Sequence, residues 1–264
     1  MILKRDSHTQ SPWQQLPQTN PSPFDTAKAT YDVVVIGAGI SGLTTALLLQ
    51  KAGKNCLVVD SGNIGFGTTG GTTAHINTFF DSTYPEIESN FSKDAAKLVA
   101  DAGKLALEMI RSFAQTHQID CDLETKVGYL FAETEKEAEQ LSEILTSAKN
   151  AGIEVDRSTT NGLPISFVQA VKFEDQAQFH PLKYLQWLAN AFIESGGMIK
   201  ENVFINDVRQ EENHCTAISA DETFTAYDIV YATHIPPGIN KFSLRCAPYR
   251  SYVLGIRLND ESQY

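Results

Sequence analysis

Three glycines, Gly37, Gly39 and Gly42, stand at G-x-G-x-x-G spacing directly after the apolar run Val33 to Ile36. Such a triplet serves phosphate binding. Gly37 permits a tight turn, Gly39 lets the backbone approach a pyrophosphate, and Gly42 lets a following helix pack close to the strand. Ile40 and Ser41 then open a helix, whose unpaired N–H groups and positive dipole end attract phosphate. The run Cys56-Leu-Val-Val-Asp60 ends in an acid about 20 residues on, where a ribose hydroxyl needs an acceptor, and Ser61 follows it. A glycine-rich turn in another α/β fold is the competing reading of the triplet alone.

The stretch after Asp60 is a second candidate. Ser61 to His75 is rich in Gly and Thr and too long for a simple turn. A nicotinamide-binding domain would move into its next helix here. A loop of small hydroxylated residues instead points to close backbone contact with a large, flat, phosphorylated ligand; a flexible surface loop is the alternative. Four further residues carry possible chemistry. His75 closes this loop and is a candidate to face or tether a ligand, or else a hydrogen-bonded structural histidine. His180 precedes Pro181 and reads as a helix-start or packing residue, with a pocket-facing role as the alternative. His234 follows the small pair Ala232-Thr233. Arg250 offers a guanidinium for a carboxylate, or for a structural ion pair.

The elements that position these residues read as an α/β chain. Val33 to Ile36 has the continuous apolar character of a strand buried on both faces. Helices are predicted over 43–53, 90–118 and 133–151, and from Pro181 to the Gly196-Gly197 stop. Strands are predicted over 56–60, 120–132, 153–157, 167–174 and 198–203. A small antiparallel meander follows over 208–209, 215–219 and 223–226. A buried, parallel-type strand over 227–233 comes next, and a last strand over 249–258. In a doubly wound sheet the ligand lies beyond the carboxyl ends of the parallel strands, which places Thr233 near the glycine turn.

Composition narrows the class. The chain has 264 residues, 42% hydrophobic and 20% charged, enough for a substantial core. A net charge of −11 argues against nucleic acid or an anionic membrane as the main partner. No run is long enough to span a membrane and no hydrophobic signal region lies near Met1. Cys56, Cys121, Cys215 and Cys246 form no CxxC or CxH pair, so reduced, mostly buried thiols in a cytoplasmic protein are expected, and no metal site. Residues 1–30 are polar with four prolines and read as an extended leader, with Trp13 and Phe24 as possible docking points.

With these residues in view, the chain resembles the FAD-dependent oxidoreductases of the D-amino-acid oxidase/glycine oxidase superfamily. The motifs that carry the resemblance are the segment from Asp32 to Gly53, the Asp60 strand end with the loop Gly65 to Ala74, His180-Pro181-x-x-Tyr184, Ala232-Thr233 and Pro248-Tyr249-Arg250. Within the superfamily, Thr68-Thr-Gly-Gly-Thr-Thr-Ala74, Asp175-Gln-Ala-Gln-Phe-His-Pro-Leu-Lys-Tyr184 and Ala247-Pro-Tyr-Arg-Ser-Tyr252 are similar to the branch that carries a Rieske 2Fe–2S domain behind the flavin domain. The resemblance implies a Rossmann-like FAD-binding domain with an inserted α+β substrate-type domain. It implies that Gly37, Gly39, Ile40, Ser41 and Gly42 hold the FAD pyrophosphate. Asp60, where the family more often has Glu, would bind the adenosine ribose, with Ser61 beside it. Gly67, Thr68, Thr69 and Thr73 would lie along the pyrophosphate and flavin, Val203 would give backbone contacts to adenine, and Thr233 would sit beside the cofactor.

Relatives of this kind continue past Leu258 to a final glycine-rich segment against the flavin, and the Rieske branch adds Cys/His pairs as cluster ligands. Neither is found in the sequence, so a C-terminally truncated form is expected. The expected division is a leader over 1–30 and an FAD-binding domain over 31–264, mainly 31–80 and 165–235. Partial substrate-domain segments would lie mainly over 120–165 and 236–264. The expected reaction is oxidation of a C–N bond in a small-molecule amine or amino acid by hydride transfer to flavin, with the electron acceptor open. His75 and Arg250 are the candidates for catalysis. The alternatives are a pyridine-nucleotide-dependent dehydrogenase and a non-catalytic, truncated flavin-binding remnant.

Overall fold

The computed structural model describes residues 11–15 and 30–235. In chain order its elements are β1 (Tyr31–Ile36), α1 (Ile40–Lys51), β2 (Cys56–Val59), β3 (His75–Ile76), α2 (Tyr84–Asn90), α3 (Lys93–Thr116), β4 (Glu124–Ala132), α4 (Glu135–Asn150), β5 (Val155–Ser158), β6 (Gln169–Gln178), α5 (Pro181–Glu194), β7 (Met198–Lys200), β8 (Asp207–Gln210), β9 (Cys215–Ile218) and β10 (Thr223–Tyr231). Short 3-10 turns lie at Pro12–Gln15 and Thr68–Gly71. The leader's Trp13 packs against the main core, as expected, whereas Phe24 lies outside the described residues.

The first sheet is ordered β7-β2-β1-β10-β9-β8. Its four central-side strands, β7, β2, β1 and β10, run parallel to their neighbours in that order, and β9 and β8 continue it antiparallel. The side-chain period of two splits β1 and β2 between two cores. Val33, Val35, Cys56 and Val58 meet α1 and α5, through Leu43, Leu47, Leu185, Leu188 and Phe192. Val34, Ile36, Leu57 and Val59 meet Ile205, Ala217, Phe224 and Ala226 on the other face. Burial on both faces is why these strands read as unbroken apolar runs. Each fully buried leucine contributes about 1.5–3 kcal/mol of transfer free energy.

The second sheet is built on β6. β4 pairs along its length, and β5 and β3 share its other edge. α2, α3 and α4 supply Tyr84, Ile87, Ala96, Ala100, Leu141 and Ala148 to the core against Val171 and Phe173. The stretch 169–178, expected with the cofactor-binding part, therefore belongs to the second sheet. Among the described residues no helix is long and apolar enough to cross a membrane.

Several boundaries differ from the sequence reading, each for a local reason. The long helix expected over 90–118 is α3 and starts at Lys93, because Ser92 caps it by accepting from the Ala95 N–H at 3.0 Å; the short α2 before it was not expected. The strand expected from Asp120 begins at Glu124, after a corner in which Asp122 takes φ 51°. β6 continues past Glu174 to Gln178, because Asp175 (φ 60°) and a register shift between Lys126 and Gly128 form an irregularity that the ladder survives. β7 stops at Lys200, and Asn202 (φ 60°) turns the chain. The two strands expected over 223–226 and 227–233 are one: β10 pairs antiparallel with β9 over its first half and parallel with β1 over its second. That second half is not buried as expected, since Tyr227 and Tyr231 are exposed. The strand expected over 249–258 lies outside the described residues.

Candidate functional site

The site begins where β1 ends. Gly37 has φ 115°, and a Cβ there would lie 2.6 Å from the Ala232 carbonyl oxygen, so the turn and the close approach of β10 both require glycine. At Gly42 a Cβ would lie 1.9 Å from the Gly37 carbonyl oxygen and 3.2 Å from the Ala232 Cβ, so α1 seats directly on the turn. Gly39 is the N-cap of α1 and offers no side-chain cap. The opening N–H groups are therefore left for partners from elsewhere. One is supplied by the Gly/Thr loop: the Ile40 N–H donates to Thr69 Oγ1 at 3.1 Å. Ser41 is exposed at the same helix start.

Asp60 follows β2 and joins two loops. Its Oδ2 accepts from the Ala38 N–H at 2.6 Å, within the glycine turn, and its Oδ1 accepts from the Gly62 N–H at 2.8 Å. Charge-assisted bonds to backbone donors of this kind are the strong class. Each oxygen keeps acceptor capacity beyond these bonds. Lys200 to Val203 runs alongside: the Asp60 N–H donates to the Lys200 carbonyl, and the Val203 N–H donates to the Asp60 carbonyl, both at 2.9 Å. A Val203 contact to a ligand would thus fall to its carbonyl. Sequence reasoning missed Glu201, whose Oε1 accepts from the Ile64 N–H at 2.6 Å and whose Oε2 accepts from Asn63 Nδ2 at 3.2 Å. Its signal was an acid in the turn just past a short third parallel strand.

The loop from Gly67 to Thr73 is ordered by neighbours on several sides. The Gly65 N–H donates to the Ala38 carbonyl at 3.1 Å, and a Cβ at Gly65 would press on Leu182 and Leu185 of α5. Thr68 opens the 3-10 turn, Thr69 reaches α1, and Thr73 is exposed. Thr233, just past β10, lies beside Gly37, and its hydroxyl donates to the Ile235 carbonyl at 2.8 Å. The fold thus gathers the glycine turn, Asp60, Thr69 and Thr233 at the carboxyl ends of β1, β2 and β10.

Of the four other residues with possible chemistry, three lie among the described residues. His75 is exposed on β3, in register with Gln178 of β6. His180 is the N-cap of α5: its Nδ1 accepts from the Lys183 N–H at 3.3 Å, and its N–H donates to the Cys121 carbonyl at 2.6 Å. Burial, and then the Lys183 charge, hold its pKa below the ordinary histidine value. His234 is exposed in a left-handed conformation (φ 68°). Arg250 lies outside the described residues. Cys56, Cys121 and Cys215 are free thiols, and burial pushes Cys56 up to about 11.

The glycine turn that a Cβ would fill, the uncapped helix start and the strand-end carboxylate together fit a dinucleotide such as FAD. Comparison with known proteins agrees with that chemistry. The family described as DAO, FAD dependent oxidoreductase, matches residues 32–263. The chain is 30% identical over 228 residues to the "Putative Rieske 2Fe-2S iron-sulfur protein YhfW" of Bacillus subtilis (strain 168), covering 86% of this chain and 45% of that protein. It is 25% identical over 239 residues to gamma-glutamylputrescine oxidoreductase of Escherichia coli (strain K12), covering 85% and 56%. Among solved structures it is similar to glycine oxidase from Geobacillus kaustophilus, with a TM-score of 0.63 and 20% identity over 78% of this chain and 55% of that one. It is also similar to L-amino acid deaminase from Proteus vulgaris, with a TM-score of 0.64 and 16% identity over 82% and 50%. The chain spans about half the length of the proteins it matches.

Proposed function

The chain belongs to the DAO family of FAD-dependent oxidoreductases, and on that premise we propose that it holds FAD across the carboxyl ends of β1, β2 and β10 and serves oxidation of a C–N bond in an amine or amino acid. The observation that carries this reading is the convergence of Asp60 and Thr69 on the glycine turn and the start of α1. When bound, FAD supplies the acceptor for a hydride from the carbon that bears nitrogen. The chain's residues supply the seat. Gly37, Gly39 and Gly42 let backbone approach the pyrophosphate, and Ile40 and Ser41 present helix N–H groups to it. Asp60, with Ser61 beside it, offers a carboxylate to the adenosine ribose, and Val203 borders the adenine. Gly67, Thr68, Thr69 and Thr73 line the pyrophosphate and flavin, with Thr233 at the strand end.

The Ile40 N–H, now satisfied by Thr69 Oγ1, is a donor that a phosphate oxygen can share or take over. Glu201 holds the turn after Asp60 and so shapes the ribose side of the seat. The similar proteins support this substrate class, since they include a gamma-glutamylputrescine oxidoreductase, a glycine oxidase and an L-amino acid deaminase. Likeness to a Rieske iron–sulfur protein supports a separate electron-transfer module as the acceptor. Free buried thiols support a reducing, cytoplasmic location.

Anaerobic mixing of FAD-loaded protein with a panel of amines and amino acids tests the reaction. Bleaching of the flavin absorbance by at least one member is the expected outcome. Retained FAD with no bleaching by any of them would favour the non-catalytic flavin-binding alternative.

A further inference from the structure

The leader residue Trp13 reaches the Gly/Thr loop from far away in sequence. The turn Pro12–Gln15 fastens itself: the Trp13 N–H donates to Ser11 Oγ at 3.3 Å, the Gln14 N–H to the Ser11 carbonyl at 3.0 Å, and the Ser11 N–H to Gln14 Oε1 at 3.2 Å. A turn held this way presents its indole at a fixed angle. Trp13 Nε1–H donates to the Thr72 carbonyl at 2.8 Å. The ring meets the His180 imidazole edge-on, with centroids 5.1 Å apart and planes at 71°. Beside it the Gln14 amide lies against Gly70, where a Cβ would be 3.2 Å from Nε2.

The carbonyl that Trp13 holds is critically placed. Thr72 Oγ1 accepts from the Ala74 N–H at 3.1 Å, and Ala74 has φ 66°, a left-handed conformation that disfavours a Cβ residue. Thr72 therefore anchors a strained corner at the end of the loop. At the loop's other end Gly65 leaves no room for a Cβ, which would lie 2.6 Å from Leu182 and 2.8 Å from Leu185 of α5. Between the two anchors lies Thr69, which reaches the start of α1.

We infer that Trp13 is a positioning residue for the cofactor seat: its indole N–H fixes the Thr72 corner and so sets the path of residues 67–74 over the glycine turn. The inference rests on the FAD reading of that seat. It assigns the leader a part in cofactor retention, with no contact to the reacting atoms.

The test compares the full chain with Trp13→Phe, which keeps an aromatic ring and loses the donor, and with Trp13→Ala. Two readouts are taken: FAD affinity by titration, and amide hydrogen exchange of the cofactor-free protein. Trp13→Phe is expected to weaken FAD binding roughly 2- to 10-fold, the worth of one hydrogen bond. It is also expected to speed exchange selectively at 67–74, and Trp13→Ala to do both more strongly. Wild-type affinity together with wild-type exchange in Trp13→Phe overturns the inference and leaves the FAD reading standing. Faster exchange spread evenly over β1, α1 and α5 overturns it as well, since that marks a general packing role. If the wild-type chain takes up no FAD, the FAD reading fails, and the inferred part in retention fails with it.

Discussion

Asp60 is the residue on which the seat turns. Its two oxygens tie the Ala38 N–H to the Gly62 N–H, so one side chain holds the glycine turn and the following loop together and keeps lone pairs for the proposed ribose contact. Asp60→Ala removes two charge-assisted bonds at once. It also removes the proposed ribose acceptor, and at about 1.5–3 kcal/mol for one such bond FAD affinity is expected to fall at least about 10-fold and up to about 160-fold, checked by flavin fluorescence titration. Asp60→Asn keeps one carbonyl oxygen and is expected to fall between the two. The glycines and Asp60 were legible in the sequence because their types are dictated by backbone geometry over a short span. Glu201 was not legible: its partner Asn63 is 138 residues away, and the pairing exists only because Asn202 turns the chain just past β7.

Among the elements, α5 carries a titrating cap. His180 Nδ1 accepts from the Lys183 N–H only when unprotonated. Its pKa is lowered in the fold, by burial first and then by Lys183. A folded value below the unfolded one gives stability that is present in full above the unfolded pKa of about 6.5 and is lost as pH falls through the folded value. Denaturant midpoints taken from neutral to mildly acidic pH are expected to drop for the wild type, with a component of about 0.5–2 kcal/mol that His180→Asn, a non-titrating cap, lacks. Parallel pH profiles for the two proteins would contradict this role. Element types were legible from periodicity, and Pro181 marked the start of α5 correctly. Boundaries were set by contacts that periodicity does not encode. Ser92 set the start of α3 three residues later than expected, the irregularity at Asp175 let β6 run on, and pairing with two different neighbours merged two expected strands into β10.

For the molecule as a whole, α1 and α5 cover one face of the first sheet beside the proposed seat, and Trp13 donates to the loop that follows β2. The family was legible because its motifs fall where backbone turns and packs closely on backbone, as at Gly37 and Gly42, and such positions tolerate few residue types. The split between the two sheets was less legible. β6 alternates like any half-buried strand, and only its ladder with β4, β3 and β5 assigns it to the second sheet. The chain spans about half the length of its relatives, so retention of the cofactor is the property most directly tied to the residues described. Equilibrium titration of the purified full chain with FAD and, separately, with NAD tests that property. Saturable binding of one FAD per chain and a preference for FAD over NAD are expected. A chain that takes up no FAD, or that binds NAD in its place, would contradict the FAD reading.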